Sequence, residues 1–170
     1  MTVMSDVQAV SVAVASASVV AGVLYYAFQI RHSGRMRHLD LFMRFYSIWG
    51  RDEMLDSHRR LVAFKVKDLD EFESKYGPIA SLDIEASRIL MDIDRIGWFF
   101  NLMGFLVKEK IVKTEMIDEL LGYWVVKYWE IIKPLVLGWR IKYDIPDSYK
   151  WFEYLYDQMK RREKARATNT

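Results

Sequence analysis

The feature that most constrains this chain is an uncharged run near its N-terminus, from Val7 to Ile30. It contains no Asp, Glu, Lys, Arg or His over 24 residues. A bilayer core of about 30 Å needs roughly 20 helical residues, and a spanning helix satisfies its own backbone hydrogen bonds. The run therefore predicts a transmembrane helix over residues 7–30, preceded by a short extracytoplasmic N-terminus over residues 1–6.

Charge asymmetry around the run predicts its orientation. Arg31, Arg35 and Arg37 follow it, whereas the six residues before it carry Asp6 and no Lys or Arg. Because basic residues favour the cytoplasmic side, we expect a single-pass protein of the cell membrane, with its N-terminus outside and its C-terminal domain in the cytoplasm. The three arginines are also candidate contacts to lipid headgroups, which makes membrane lipid a predicted partner.

Two other interpretations of the run stay open. A cleaved signal peptide is one, because Ala13, Ala15 and Ala17 resemble a cleavage site. However, the start lacks basic residues, and the run exceeds the usual apolar length of about 7–15 residues. A buried helix of a soluble protein is the other, although core helices of this uncharged length are uncommon.

Small residues recur in the run at intervals of four, a spacing that lets membrane helices approach closely. They are Ala13, Ala17 and Ala21, with Ser18 and Gly22 repeating the interval. The pattern predicts packing against another membrane protein or against a second copy in a homo-oligomer. The alternative is that small residues are simply abundant in this segment.

Helical periodicity continues through most of the remaining chain. Residues 31–64 are predicted as a juxtamembrane helical segment, either continuous or hinged near Gly50. Residues 65–80 are charged and end in Gly-Pro, which predicts a connection with room for one helical turn around Leu69 and Phe72.

Residues 81–160 are predicted as the helical bundle core. A helix capped by Ser81 or Asp83 should reach Val107, with an apolar stripe at Ile84, Ile89, Ile93, Ile96, Phe100 and Met103. Its last twelve residues are apolar nearly all round, which predicts central burial.

Two more helices complete the predicted bundle. One is capped by Thr114 and ends or kinks at Pro134, with a short helix or an extension to about Tyr143. The last is capped by Asp147 or Ser148 and leads into a polar tail over residues 161–170. The predicted fold class is all-α, with an N-terminal transmembrane helix followed by a four- to five-helix cytoplasmic bundle.

Several kinds of chemistry are excluded by composition. The chain has no cysteine, so disulfides, thiolate catalysis and cysteine-based zinc sites cannot occur. The net charge of +2 argues against nucleic acid as a partner. Neither the Glu-x-x-His nor the His-x-x-x-His spacing of helical metal sites is present, and no glycine-rich phosphate loop occurs. We therefore predict no catalytic residues, no cofactor-binding residues, no metal ligands and no cofactor.

Glycines, carboxylates and tryptophans have structural explanations. Gly97 and Gly104 lie seven residues apart and predict close packing against a neighbouring element. Carboxylates of the same helix lie at helical spacing from arginines, which favours ion pairs over acid–base catalysis; they are Glu85, Asp92 and Asp94, beside Arg88 and Arg95. Six tryptophans suit core packing, although Trp98, Trp124 and Trp129 are also candidates to line a pocket.

The stretch "IDRIGWFFNLMGFLVKEKIVKTEMIDELLGYWVVKYWEIIKPLVLGWR", from Ile93 to Arg140, resembles a family of uncharacterised small prokaryotic membrane-anchored helical proteins. The likeness consists of an apolar helix, a "GFLVKEKIV" turn, a helix with Trp129 before Pro134, then Arg140 and an aromatic last helix. It covers roughly residues 8–160 and implies the same membrane-anchored layout. The resemblance implies no activity and no functional residues.

The function expected from these features is an interaction module or accessory subunit of a membrane complex, without catalytic activity of its own. The alternative is a membrane-bound enzyme or ligand sensor with a pocket among the cytoplasmic helices. A polar-lined internal cavity with a buried carboxylate would favour the alternative, and a fully filled core would oppose it.

Overall fold

The computed structural model of the chain describes residues 18–19, 21–26, 29, 40, 42–78, 81 and 83–168. The backbone separates into two compact units, Met1–Met43 and Arg44–Thr170. The described residues of the first unit are all helical. Among all described residues, no helix combines the length and the apolar character needed to cross a membrane.

Most of the predicted transmembrane helix over residues 7–30 lies outside the described residues. Two members of the small-residue pattern, Ala13 and Ala17, also lie outside the described residues. So do the three predicted headgroup contacts, Arg31, Arg35 and Arg37. Ser18, Ala21 and Gly22 lie in described helical backbone. The membrane span and its packing pattern therefore stay predictions.

The second unit is built from helices. After a helical stretch at residues 44–49, they are α1 (Asp52–Ala63), α2 (Leu69–Tyr76), α3 (Ile84–Lys108), α4 (Thr114–Lys142) and α5 (Lys150–Thr168). No strand occurs in the ranges that the structure describes. The predicted all-α class is confirmed.

Helix α2 lies within residues 65–80, where the sequence predicted a connection with one turn at most. The helix has eight residues, and Asp68 caps its start by accepting a hydrogen bond from the backbone N–H of Glu71. Its apolar residues Leu69 and Phe72 are buried. Packing of these two side chains stabilises the helix. The sequence did not predict it, because most of the surrounding residues are charged.

Helix α4 continues through Pro134, so of the two predicted effects an end at this residue is wrong. The predicted extension belongs to the same helix, which ends at Lys142. The carbonyl that Pro134 leaves without an amide partner belongs to Glu130, an exposed residue, where water can satisfy it. The predicted cap is wrong: Thr114 is already helical, and Lys113 occupies the cap position without a capping side-chain hydrogen bond.

Helix α5 starts differently from the prediction. Neither Asp147 nor Ser148 caps it; instead Oδ1 of Asn101, on α3, accepts hydrogen bonds from the backbone N–H groups of Trp151 and Phe152 at 3.0 and 3.2 Å. A side chain from another helix thus satisfies the free amides at its start.

Helix α5 also reaches further than predicted, because residues 161–168 of the expected polar tail are helical. Arg162 anchors this end to α4, pairing with Asp118 at 2.7 Å and Glu115 at 2.9 Å. Ion pairs rather than apolar burial therefore hold the last turns against the bundle.

Helix α3 is the centre of the unit and packs chiefly against α5 and α1. A Cβ added to Gly104 would lie 1.9 Å from the carbonyl oxygen of Trp151, and one added to Gly97 would lie 2.5 Å from the ring of Tyr149. The prediction that these two glycines mark close packing is confirmed. The seven-residue interval between the two glycines therefore brings α5 against one face of α3.

Candidate functional site

Large apolar side chains are exposed along the outer face of helix α3. Ile84 is 82% exposed, Trp98 65% and Met91 60%, and more than a third of Leu102 and of Phe105 is also exposed. The opposite face of the helix is core, with its side chains fully buried at Ala86, Ile93, Ile96, Phe100 and Met103. Central burial was therefore predicted correctly for one face only, and Ile84 belongs to the exposed face.

The exposed residues follow one another at alternating intervals of four and three. Together with two arginines they form a row that we call the α3 seam, consisting of Ile84, Arg88, Met91, Arg95, Trp98, Leu102 and Phe105. This is the heptad spacing by which one helix packs along another. The seam was missed in the sequence because α3 has two apolar faces; the signal that could have found it is the strict repeat of seven from Ile84 to Phe105.

Arg95, one of the two seam arginines, already has partners within the domain. Its guanidinium donates hydrogen bonds to Oγ of Ser57 at 2.6 Å and to the carbonyl oxygen of Glu53 at 3.2 Å. It also lies 3.8 Å from a carboxylate oxygen of Asp92. Its guanidinium therefore already has hydrogen-bond acceptors within the domain before any partner arrives.

Asp92 is the charged residue at the centre of this network, and its side chain is 2% exposed. Arg60 of α1 binds it with two hydrogen bonds, Nε to Oδ2 at 2.6 Å and Nη2 to Oδ1 at 2.8 Å. Burial raises the pKa of Asp92, but hydrogen bonds to Arg60 and Ser57 and the nearby positive charges outweigh burial, so its pKa lies below the ordinary value. The predicted pairing within the helix is confirmed only for Asp92 with Arg95, at 3.8 Å; the principal partner of Asp92 is Arg60, which was not predicted and which ties α1 to α3.

Arg88, the other seam arginine, differs from Arg95. It is exposed, and among the residues that the structure describes it makes no hydrogen bond or ion pair. It lies with Arg60 and Ile84 on the wall of two open grooves, of about 530 and 610 Å³. The seam thus presents one uncompensated positive charge between apolar side chains.

Asp94 and His58 have structural partners. The hydroxyl of Tyr149 donates a hydrogen bond to Asp94 at 2.5 Å, which ties the α4–α5 loop to α3.

His58 Nδ1 is hydrogen-bonded to the hydroxyl of Tyr128, and the centre of the His58 ring lies 4.3 Å from that of Trp124. Burial, followed by the charges of Lys127 and a neighbouring arginine, lowers the pKa of His58 and favours its neutral form.

The pocket suggested by three tryptophans does not form around them together. Trp98 is exposed on the α3 seam, whereas Trp129 is fully buried in the core. Trp124 is partly buried and stacks on Tyr128. Within the described part of the chain, no three His, Asp or Glu residues are grouped so that they could hold a metal ion.

Comparison with known proteins identifies the family of the chain. Residues 16–159 match the family profile described as a domain of unknown function, DUF4760. No curated protein and no solved structure matched the chain. The resemblance to an uncharacterised family is thereby confirmed, while membrane anchoring and prokaryotic origin stay predictions. Because the matched region spans most of the 170 residues, the chain belongs to the DUF4760 family.

Proposed function

We propose that this protein is a membrane-anchored interaction module, an accessory subunit whose helical domain docks another protein along the α3 seam. The observation that carries the proposal is the exposure of Ile84, Met91 and Trp98 on a helix whose other face is core. Contiguous exposed apolar surface of this kind marks interaction sites in soluble domains. Its heptad spacing suits a helix as the docking element.

The rest of the domain supports a binding function. The opposite face of α3 buries Ile93, Ile96 and Phe100 completely, so the seam is not needed to complete the core. Trp98 contributes a large rigid side chain, which is the residue type enriched at the energetic centres of interfaces. Burial of such side chains contributes roughly 25 cal/mol per Å² of apolar surface.

A purification from native membranes in mild detergent tests the docking. We expect the tagged full-length chain to retain a stoichiometric partner, identified by mass spectrometry, and the Trp98→Glu variant to lose it. Ile141→Glu is the matched control, because Ile141 is an apolar residue that is 85% exposed on a different helix, α4. Docking at the seam would be contradicted if both variants retained the same partner as the wild type. It would also be contradicted if no partner copurified with the wild type or with either variant.

The membrane anchor is the second part of the proposal. It is supported by the uncharged run over residues 7–30 and by Arg31, Arg35 and Arg37 after it. Basic residues on this side favour a cytoplasmic location of the helical domain, and the three arginines would contact lipid headgroups. The intact chain should sediment with membranes and resist alkaline extraction. Recovery of the uncut chain in the aqueous fraction without detergent would refute the anchor.

Packing of the membrane helix through its small residues is a separable element of the proposal. If Ala17 and Ala21 lie against another helix, replacing both with leucine should reduce the mass of the complex in detergent. An unchanged mass would show that these positions do not hold a partner or a second copy together.

A ligand sensor or enzyme is the second candidate function. The observation in its favour is the pair of grooves of about 530 and 610 Å³ that share Arg60, Ile84 and Arg88. Both are open, and the buried carboxylate beside them, Asp92, is already bound by Arg60. An unbiased metabolite screen on the purified chain tests this candidate, and turnover or specific binding would favour it over the interaction module.

A further inference from the structure

We propose that the partner of the α3 seam is an amphipathic helix that places one carboxylate opposite Arg88, between the layers formed by Ile84 and Met91. This inference rests on the proposed docking function and specifies the chemistry of the partner. Its basis is the difference between the two seam arginines: Arg95 has hydrogen-bond acceptors within the domain, whereas Arg88 has none among the described residues.

Arg88 requires a negative charge from any helix that covers it. A docking helix would remove water from the guanidinium, and a charge buried without a partner is strongly unfavourable. Arg95 imposes no such requirement, because Ser57 and the carbonyl of Glu53 already accept its hydrogen bonds. A single acidic residue in an otherwise apolar row therefore matches the seam, and it fixes the register of the partner as buried polar pairs do in coiled coils.

The seam has the dimensions of a helix-packing surface. From Ile84 to Phe105 it extends about 32 Å, at roughly 1.5 Å per residue. Its flanks carry the exposed carboxylates Asp83, Glu85 and Asp94. These would pair with Lys or Arg at the edges of a partner helix, whereas they would repel an anionic bilayer. The charge pattern therefore favours an acidic-centred helix over a lipid surface.

A second copy of the same chain fits the seam poorly. In a parallel pair, equivalent positions face each other, so Arg88 would meet the arginine of the other copy. In an antiparallel pair it would face the apolar row formed by Ile84, Met91, Trp98 and Phe105, so that the acidic residues of the second copy would lie at the flanks and not opposite Arg88. The uncharged run over residues 7–30 cannot supply a carboxylate either.

Synthetic helical peptides of three heptads test the inference. They carry leucine at the seam-facing positions, with a single glutamate placed at each of these positions in turn, and matched peptides carry glutamine or lysine instead. Binding to the immobilised full-length chain is measured for the wild type, Arg88→Glu, and the control Arg95→Gln. Arg88 is exposed, so its replacement leaves the core intact.

One glutamate position should bind the wild type at least about tenfold more tightly than the matched lysine peptide, with glutamine between them. Arg88→Glu should reverse this order, and Arg95→Gln should keep it. If the glutamate, glutamine and lysine peptides bound equally well, and Trp98→Glu abolished their binding, the carboxylate inference would be overturned. Docking at the seam would remain intact. Failure of every peptide to bind would overturn the inference, whereas the copurification experiment judges the docking function by itself.

The two other occupants are separate outcomes that would overturn the inference. Because the chain has no cysteine, a Met91→Cys variant can carry a single environment-sensitive dye at the seam. A blue shift of the dye in anionic vesicles that is absent from neutral vesicles would assign the seam to lipid. A dimer in detergent that Trp98→Glu converts to a monomer would assign it to a second copy.

Discussion

Replacing Gly104 with alanine tests the contact that holds α3 against α5. An added Cβ would lie 1.9 Å from the carbonyl oxygen and 2.6 Å from the carbonyl carbon of Trp151, whereas ordinary contacts begin at 3.4 Å. The helices must therefore separate locally by about 1.5 Å, the difference between 3.4 and 1.9 Å. Since the obstructing atoms are backbone, no side-chain rotation can relieve the clash.

The expected cost follows from two opposing effects. Overpacking a core typically destabilises by about 1–3 kcal/mol, and the upper end applies where backbone has to move. Alanine offsets about 1 kcal/mol of this, because it has the higher helix propensity. The net loss in unfolding free energy is about 2 kcal/mol, which corresponds to a decrease in Tm of roughly 4–8 °C for a chain of this size.

Thermal and urea unfolding of the full-length chain, followed by circular dichroism, measures this loss. Gly50→Ala is the matched control, because a Cβ there meets nothing closer than the carbonyl oxygen of Ser47 at 4.0 Å. The control should unfold at or slightly above the wild-type midpoint. If Gly104→Ala unfolds at the same urea concentration as Gly50→Ala, the close approach of α3 and α5 at this glycine is refuted.

Three further predictions concern single polar groups. Asp92→Asn should lower the unfolding free energy in urea by about 1–2 kcal/mol. This is less than for a fully buried ion pair, because the side chain of Arg60 is 41% exposed and water screens its charge. Because the folded pKa of Asp92 lies below its ordinary value of 3.8, the stabilisation from its carboxylate is complete above a pH of about 4 and is lost as the pH falls further. The difference between wild type and variant should therefore shrink in acid, and a constant difference would contradict this assignment. Asn101→Ala should cost about 1 kcal/mol and speed hydrogen exchange at the first amides of α5, while Asn101→Asp keeps the acceptor and should preserve protection. His58 should titrate with a midpoint below 6.5 by NMR, because burial and then the charge of Lys127 lower its pKa; a midpoint at or above 6.5 would contradict its placement.

The covered face of α3 was predictable, whereas its exposed seam was not. Ile93, Ile96 and Phe100 recur at helical intervals, and they are buried as that pattern predicts. Met91 and Trp98 recur just as regularly on the other side of the same helix. Hydrophobicity alone cannot rank two apolar faces, because the choice depends on which neighbouring helices reach each one.

Capping was the least predictable part of the fold. Asp68 was recognisable as a helix start only after α2 was known to exist, since a helix of eight residues has little periodicity. The cap of α5 comes from Asn101, about fifty residues earlier in the chain. A capping search confined to the residues just before a helix finds Asp147 and Ser148, and it cannot find an acceptor that arrives from another element.

The local helical structure of this protein is determined by its sequence alone. The 3.6-residue repeat, the cap Asp83 and the heptad interval of Gly97 and Gly104 predicted an all-helical domain with close helix contacts, since each depends on residues near one another in sequence. Tertiary packing alone decided which apolar face of α3 stays exposed, and that Arg95 finds hydrogen-bond acceptors within the domain while Arg88 does not. Exposure and charge compensation depend on neighbours that the fold brings from distant positions, and no local pattern contains them.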